Sequence, residues 1–302
     1  MYIYKNLNIK ENHKNSVIAI GNFDGLHLGH QKVLNQARLK AKKENLKFGV
    51  ITFEPIPNMF FNKSIKHYRI NSAEQKIYYL NKLKLDFLII INFNKFFSNI
   101  SADHFVSKIL ASKLKSKYIF VSQNFRFGKK RLGSTNTLKL LEKKYSYQTI
   151  ITSPYQKNKT IISSTLIRKK INEGNITEVQ RLLGRSWTVE GIVVKGQQRG
   201  RKIGFPTCNI EWSSYALPKL GVYSVQVETK NFKKKGIANI GHRPTFKGKN
   251  LLLEVNIFGI KTNLYKKMLK VSFIKFIRPE KKFKNINELK SQIKKDIAKI
   301  KK

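Results

Sequence analysis

GNFDGLHLGH, residues 21–30, lies between a short apolar run and a segment with helical spacing. The run, VIAI at residues 17–20, is continuous, which is typical of a strand buried on both faces of a parallel sheet. Beyond the stretch, Leu34, Ala37 and Ala41 recur at the spacing of one helix face. The sequence therefore predicts that this turn joins a strand to a helix.

The predicted turn has the features of a phosphate-binding site. Gly21, Gly25 and Gly29 let the backbone approach a ligand closely, and the start of the helix offers unpaired amides and a partial positive charge. His27 and His30 are three residues apart, so both can face one bound group and donate hydrogen bonds to an oxyanion. The pattern favours adenylyl transfer over simple binding.

Two other interpretations of the histidine pair stay open. Histidines at this spacing can ligate zinc, although Cys208 is far away in sequence and no third ligand stands beside the pair. Asp24 could serve as a ligand with magnesium. In the second interpretation both histidines are ordinary residues at the start of a helix.

Length and composition limit the class of protein. With 302 residues the chain is expected to form two domains, and its 41% hydrophobic residues are ample for two cores. No apolar run is long enough to span a bilayer, and no secretory pattern opens the chain. A single cysteine excludes an internal disulfide framework. We expect a soluble, cytoplasmic protein.

The formal charge of +44 raises the question of nucleic-acid binding. The lysines are spread through nearly every segment, and the longest runs, such as 233–235, are short. The chain is also rich in isoleucine and asparagine, so we interpret the excess as a bias of composition. We expect loose, salt-sensitive binding to polyanions and no specific nucleic-acid partner.

Apolar runs alternate with helical patterns through the first half, which predicts a parallel α/β sheet. After the first run they cover residues 48–53, 87–91, 118–121 and 149–151. Ligands of such sheets bind beyond the carboxyl ends of the strands. The glycine turn, FEP at 53–55 and SQNF at 122–125 all directly follow predicted strands, so they are expected to meet at one edge.

A cluster of hydroxyl side chains follows near residue 163. Ser163, Ser164 and Thr165 precede a predicted helix that runs to about Gly174, with Arg168 close behind them. Helix capping would explain one hydroxyl. Three together with an arginine are better suited to holding phosphate oxygens and neutralising a departing pyrophosphate.

The pattern changes after LLGR, residues 182–185. β-rich runs then follow one another with turns between them, at residues 187–194, 221–227, 235–240, 251–258 and 269–276. This spacing predicts an antiparallel barrel. A final helix is expected to close it with one apolar face, formed by Ile286, Leu289, Ile293, Ile297 and Ile300.

The chemical motif of the second half is GQQRGRKIGFPTCN, residues 196–209. Its glycines and basic residues could wrap a polyphosphate, while Thr207 and Asn209 supply neutral oxygens for magnesium. A glycine-rich hairpin with solvent-exposed arginines is the alternative that the residues leave open.

The first half resembles the FMN adenylyltransferase module of bacterial bifunctional riboflavin kinase/FAD synthetases. The stretches GNFDGLHLGH, ITFEPIP, NFRFGKKRLG and ISSTLIR stand in that family's order. The resemblance implies that His27 and His30 contact ATP phosphates and that Arg168 joins them in catalysis. It further implies substrate and nucleotide contacts at Gly21, Asn22, Phe23, Asp24, Gly29, Asn124, Ser163, Ser164 and Thr165.

The second half resembles riboflavin kinase. GRKIGFPTCNI matches a segment of that family, with Cys208 in place of the usual alanine, and LPKLGVY and ANIGHRPTF also follow it. The resemblance implies that Glu254, in LEVNIF, is the catalytic base. It also implies ligand contacts at Gly200, Gly204, Thr207, Asn209 and Arg278, with Thr207 and Asn209 holding Mg²⁺ through ATP. Without the resemblance, Glu254 would be a solvated strand glutamate and Arg278 a member of a surface ion pair.

The chain departs from the family pattern at a few positions. Ser122 stands where glycine is usual, and Asn124 where aspartate is frequent. Asn256, Gly259 and Asn263 replace common residues of the kinase half. The phosphate and magnesium residues are intact, so we expect both activities, with flavin affinity the property most affected.

The sequence thus predicts an α/β protein in which a Rossmann-like nucleotidyltransferase domain, residues 1–183, precedes a β-barrel kinase domain, residues 184–302. The expected function is phosphorylation of riboflavin to FMN and adenylylation of FMN to FAD, with ATP and Mg²⁺. The expected partners are these small molecules, and the protein is expected to be a monomer or weak homo-oligomer. A FAD synthetase with a purely structural kinase half and a basic nucleic-acid-binding protein are the alternatives.

Overall fold

The computed structural model of the chain describes residues 1–157, 160–196, 198–245, 248–260 and 262–301. Gln197 of the predicted phosphate motif and Phe246 of the ANIGHRPTF segment lie outside these ranges. The described chain forms two compact units, residues 1–66 with 73–164 and residues 67–72 with 165–302. The functional domain boundary after residue 183 stays a prediction.

The first unit contains a six-stranded parallel sheet. Its strands are β1 (Tyr2–Tyr4), β2 (Val17–Ile20), β3 (Phe48–Glu54), β4 (Phe87–Asn92), β5 (Tyr118–Ser122) and β8 (Gln148–Thr152). They stand in the order β1-β4-β3-β2-β5-β8, and every pair is parallel. The predicted parallel sheet is confirmed. The short edge strand β1 has no buried residue and was not predicted.

Helices cover both faces of this sheet. They are α1 (Leu28–Lys43), α2 (Pro57–Phe61), α3 (Ala73–Asn81), α4 (Lys95–Ser98), α5 (Ala102–His104), α6 (Thr135–Leu140) and α7 (Glu142–Tyr145), with a π-helix at Phe105–Lys113. Two hairpins complete the unit, β6 (Arg126–Phe127) with β7 (Gly133–Ser134) and β9 (Gln156–Lys157) with β10 (Thr160–Ile161).

Alternate residues of β2 enter two separate apolar clusters. Ile18 and Ile20 pack with the π-helix, whereas Val17 and Ala19 pack with α1. Because successive side chains of a strand point to opposite faces, a strand with a core on each side must be apolar throughout. This is the physical reason for the continuous VIAI run that immediately precedes the glycine turn.

The second unit is built on a closed antiparallel barrel. Its strands are β11 (Trp187–Val194), β12 (Cys208–Glu211), β13 (Gly221–Glu228), β14 (Lys233–Thr245), β15 (Gly248–Ile257) and β16 (Met268–Pro279). They stand in the order β11-β12-β15-β14-β13-β16, and β16 pairs with β11. The predicted barrel is confirmed. Strand β12, which the sequence assigned only to the phosphate motif, is the addition.

The helices of this unit are α8 (Ser164–Asn172), whose first residue belongs to the first unit, α9 (Ile176–Leu183), α10 (Arg199–Lys202) and α11 (Ile286–Lys301). Strand pairing, rather than the final helix, closes the barrel. Ile297 and Ile300 of α11 pack with Val222 and Ile237 on the barrel's outer face. Ile286 of the predicted apolar face is exposed, because it is the first residue of the helix.

Candidate active sites and family

The glycine turn runs from the end of β2 to the start of α1 in a strained conformation. Phe23 and Leu26 have positive φ angles of 49° and 39°, which residues other than glycine rarely adopt. Such residues cost about 1–3 kcal/mol each and persist where packing over-determines them. Both side chains are buried in the apolar cluster on the α1 face. The core of the sheet therefore holds the turn in its shape.

His27 and His30 are in direct contact with each other. Their rings stack with centroids 3.6 Å apart, and Nδ1 of His27 accepts a hydrogen bond of 3.2 Å from the backbone N–H of His30. His27 thereby caps α1. Because Nδ1 is the acceptor, the neutral imidazole carries its proton on Nε2. The cap thus fixes the tautomer of the neutral His27 ring.

Gly29 lies where a side chain would disturb this stack. A Cβ there would come within 3.1 Å of the His27 ring and 3.3 Å of the Ile162 carbonyl oxygen. Contacts this tight require the neighbours to move. The glycine between the two histidines is therefore needed for packing as well as for access.

The hydroxyl segment meets the glycine turn through Ser164. Its Oγ donates a 2.9 Å hydrogen bond to the carbonyl oxygen of Asp24, 140 residues away in sequence. Ser164 begins α8, so Ser164 and Thr165 belong to the first helical turn rather than preceding it as predicted. Thr165 and Arg168 belong to the second compact unit. There the guanidinium of Arg168 lies 3.9 Å from the ring centre of Tyr68.

A cavity of about 450 Å³ opens beside the glycine turn. Several predicted site residues line it, namely Gly21, Asn22, Phe23, His30, Asn124 and Ser164. The FEP and NFRFGKKRLG stretches contribute Phe53, Phe125, Arg126, Lys130 and Arg131 to the lining. Phe61, Phe93 and Phe97, which the sequence did not single out, also line the cavity. These come from separate segments, so no local motif could have joined them.

A buried lysine, Lys76, stabilises the glycine turn through Thr52. Nζ of Lys76, whose side chain is 4% exposed, lies 3.2 Å from Oγ1 of Thr52 and 3.2 Å from the carbonyl oxygen of Phe53. Oγ1 of Thr52 in turn donates a 3.1 Å hydrogen bond to the carbonyl oxygen of Asn22. Nζ also pairs with the Glu54 carboxylate at 3.4 Å. The ammonium group of Lys76 is therefore bound to β3, and Thr52 of β3 is bound to the glycine turn.

In the barrel, a row of paired residues carries the candidate kinase groups. Asn209 pairs with Glu254, Glu254 with Asn239, Asn239 with Val222 and Val222 with Arg278, so the row crosses five strands. Cross-strand partners share a face of the sheet. Val222 packs against α11, and the neighbouring Leu253, Val255 and Tyr223 are buried on the opposite, inner face. The row therefore lies on the outside of the barrel.

Two cavities flank this row, and Thr207 lines both of them. One has a volume of about 430 Å³ and is also lined by Gly200, Glu254 and Arg278. The other has a volume of about 320 Å³ and is also lined by Arg201, Cys208 and Tyr265. The threonine thus stands at the junction of two spaces of ligand size.

The motif around Thr207 is tightly packed. Asn209 is 4% exposed, and its Oδ1 has no hydrogen-bond partner within the described part of the chain. A Cβ at Gly196 would collide with the Asn209 amide at 2.1 Å, and one at Gly200 with the Phe205 carbonyl oxygen at 2.4 Å. Gly204 has a φ of 89° at the end of α10. At Gly196 and Gly200 the backbone therefore lies too close to neighbouring groups to carry a side chain.

The chain matches two family models. One, described as FAD synthetase, matches residues 9–166, and the other, described as riboflavin kinase, matches residues 183–302. A bifunctional riboflavin kinase/FMN adenylyltransferase of Buchnera aphidicola subsp. Schizaphis graminum is 42% identical over 98% of this chain and 96% of its own length. The chain belongs to the bifunctional riboflavin kinase/FMN adenylyltransferase family. The predicted family and the predicted pair of enzyme activities, riboflavin kinase and FMN adenylyltransferase, are confirmed.

Other members of this family and one solved structure match over nearly the whole chain. The relative of the same name from Escherichia coli strain K12 is 34% identical over 93% of this chain and 90% of its own length. A crystal structure titled macrolide-efflux protein, from Streptococcus pneumoniae, is 30% identical and superposes with a TM-score of 0.87, covering 98% of this chain and 97% of that one. In the described ranges of this chain, no helix has the length and apolar character needed to cross a membrane.

Proposed function

We propose that the cavity beside the glycine turn is the site at which FMN is adenylylated. Its apolar part, lined by phenylalanines, suits the flat flavin ring, and its turn suits the phosphates of ATP. The carrying observation is the hydrogen bond from Ser164 to Asp24, which brings the two predicted phosphate-binding motifs together.

The reaction joins a phosphate oxygen of FMN to the α-phosphorus of ATP and expels pyrophosphate. Nε2–H of His27 and the ring of His30 stabilise the charge that develops on the phosphate oxygens, and the N-terminus of α1 adds its partial positive charge. The role of Arg168 in neutralising the departing pyrophosphate stays a prediction from the sequence.

For the kinase reaction we propose that the cavity with Glu254 and Arg278 takes riboflavin and that the cavity with Cys208 takes ATP. Thr207 lines both, so the terminal phosphate can meet the ribityl hydroxyl beside it. Glu254 accepts the proton of that hydroxyl as it attacks the γ-phosphorus, and ADP leaves.

Thr207 and Asn209 fit a magnesium ion that is bound together with ATP. Both offer neutral oxygens, and the buried Oδ1 of Asn209 has no hydrogen-bond partner in the described ranges. When bound there, the ion would neutralise the phosphate charge that builds during transfer. Glu254 is the direct strand partner of Asn209, which supports a role for both residues at the same phosphate.

Flavin chromatography of reactions started from riboflavin or from FMN tests both sites. The wild-type protein should yield FAD from both with ATP and Mg²⁺. H30A should lose FAD from both and accumulate FMN from riboflavin, whereas E254Q should lose only the reaction from riboflavin. FAD from FMN but none from riboflavin in the wild type would identify the kinase half as structural, and retention of both activities in both variants would contradict the proposed sites.

The proposed setting is the cytoplasm, supported by the use of ATP and the single cysteine. We propose small-molecule partners only, with a monomer or weak homo-oligomer as the assembly. The high charge should give polyanion binding that collapses as salt is raised. Sequence-selective nucleic-acid binding that persists at high salt would contradict this.

A further inference from the structure

We propose that Asp296 is a positioning residue of the riboflavin site and acts by aiming Arg278. The inference rests on the proposed contact of Arg278 with riboflavin. Asp296 lies in α11 and is completely buried. Its Oδ2 accepts a 2.8 Å hydrogen bond from Nε of Arg278, and its Oδ1 accepts one of 2.9 Å from the side chain of Gln292.

The contacts leave one end of the guanidinium available. Nε of Arg278 is held by Asp296, and Nη1 donates a 3.0 Å hydrogen bond to the carbonyl oxygen of Pro279. Within the described part of the chain, Nη2 makes no hydrogen bond. Arg278 and Asp296 both line the cavity that also contains Glu254. The pair therefore holds a planar donor at a defined angle with two N–H groups free for an acceptor.

The burial of this pair is difficult to explain by stability alone. Taking a carboxylate and a guanidinium out of water is costly, and apolar residues of similar volume often stabilise a fold at least as well. The side chains of Arg278 and Asp296 are 18% and 1% exposed. A fixed guanidinium fork is, however, well suited to recognising an oxygen atom of a ligand.

The position of Arg278 in the row of paired residues indicates which part of riboflavin carries that oxygen. Arg278 and Glu254 lie in the same row of paired residues, separated by Asn239 and Val222. Glu254 is proposed to accept the proton of the reacting hydroxyl. Arg278 lies three strands farther along the wall, about 14 Å away at the usual strand spacing, so it meets a part of the flavin remote from that hydroxyl. We assign to the free N–H groups an acceptor oxygen or nitrogen of the flavin ring system.

The experiment compares D296N, R278Q and the double variant R278Q/D296N in the full-length protein. D296N keeps the shape of the side chain but removes its charge. It should raise the KM for riboflavin about tenfold, as expected for loss of a charge-assisted contact, with little change in the KM for ATP. FMN adenylylation is measured on the same samples as an internal control for folding. E288Q, on the exposed part of the same helix, is the matched control and should leave both KM values unchanged.

The double variant distinguishes an effect of Asp296 on the orientation of Arg278 from an effect on the stability of the fold. It removes both charges together, so it leaves no uncompensated ion in the barrel wall. If Asp296 acts through Arg278, the double variant and R278Q have the same riboflavin KM. A double variant much weaker than R278Q, or a D296N protein with wild-type riboflavin KM, would overturn the inference. A wild-type riboflavin KM in R278Q would instead contradict the proposed arginine contact on which it rests.

Discussion

Asn209 of β12 and Glu254 of β15 are direct partners across two antiparallel strands on the outer face of the barrel. The two residues are 45 positions apart in sequence, yet the pairing puts an amide oxygen and a carboxylate on one face. Thr207, two residues before Asn209, lines the same cavity as Glu254. Metal ligand and catalytic base are thus predicted to act on one phosphate, and each can be removed separately.

Replacing Glu254 by glutamine should abolish the kinase reaction selectively. Glutamine keeps the size of the side chain but cannot accept the proton of the ribityl hydroxyl, so we expect kcat for riboflavin phosphorylation to fall roughly 10²–10⁴-fold. FAD formation from FMN should continue at the wild-type rate. E228Q, which changes an exposed glutamate of β13, is the matched control. A kinase rate close to wild type in E254Q would exclude Glu254 as the base.

Replacing Asn209 by alanine should change the magnesium dependence of the kinase. The variant removes the buried Oδ1 that has no partner in the described part of the chain. We expect the half-saturating Mg²⁺ concentration to rise roughly tenfold while excess Mg²⁺ recovers part of the rate. The measurement is a magnesium titration of ADP release from riboflavin and ATP. An unchanged titration curve would show that Asn209 does not hold the ion.

Replacing Gly29 by alanine should impair adenylyl transfer and spare the kinase. The new Cβ would press on the His27 ring and on the Ile162 carbonyl oxygen, which displaces the stacked histidines. Small displacements of groups at a reaction centre can cost about 10²-fold in rate. We expect FAD formation from FMN to fall by at least tenfold on that estimate. L39A, at an exposed position of the same helix, should leave the rate unchanged.

Replacing Thr52 by valine should weaken substrate binding at the adenylylation site, because the glycine turn loses a hydrogen bond. Valine fills the same space but cannot relay the hydrogen bond from Lys76 to the Asn22 carbonyl oxygen. The expected result is a rise of about fivefold in the KM for FMN or ATP, the size of one lost hydrogen bond. K76M should shift the same KM in the same direction. If only thermal stability changes in both variants, the link is structural.

Cys208 should react slowly with thiol reagents and be protected by ATP. Burial raises the pKa of its thiol, so the reactive thiolate is scarcer at neutral pH than for a free cysteine. Alkylation should therefore accelerate only as the pH rises above the ordinary range for cysteine. Because it is the chain's single cysteine, labelling measured by mass spectrometry reports on one site. Labelling unaffected by ATP would contradict the nucleotide assignment of that cavity.

The aromatic lining of the first cavity marks one limit of sequence analysis. Phe61, Phe93 and Phe105 lie in separate segments, and no motif of the sequence joins them. The pairing of Arg278 with Asp296 is another case, since a buried aspartate in a lysine-rich helix carries no local signal. Lys76 likewise had the sequence appearance of a surface lysine but is buried.

By itself the sequence determined the parallel sheet, the barrel and the positions of the two phosphate motifs. These depend on local periodicity, on glycine where the backbone must come close, and on short motifs whose chemistry is written along the chain. Only the tertiary structure decided which distant groups meet, such as Ser164 with Asp24, Asn209 with Glu254 and Arg278 with Asp296. Strand register and the packing of helices set those meetings, and both depend on burial across the whole fold.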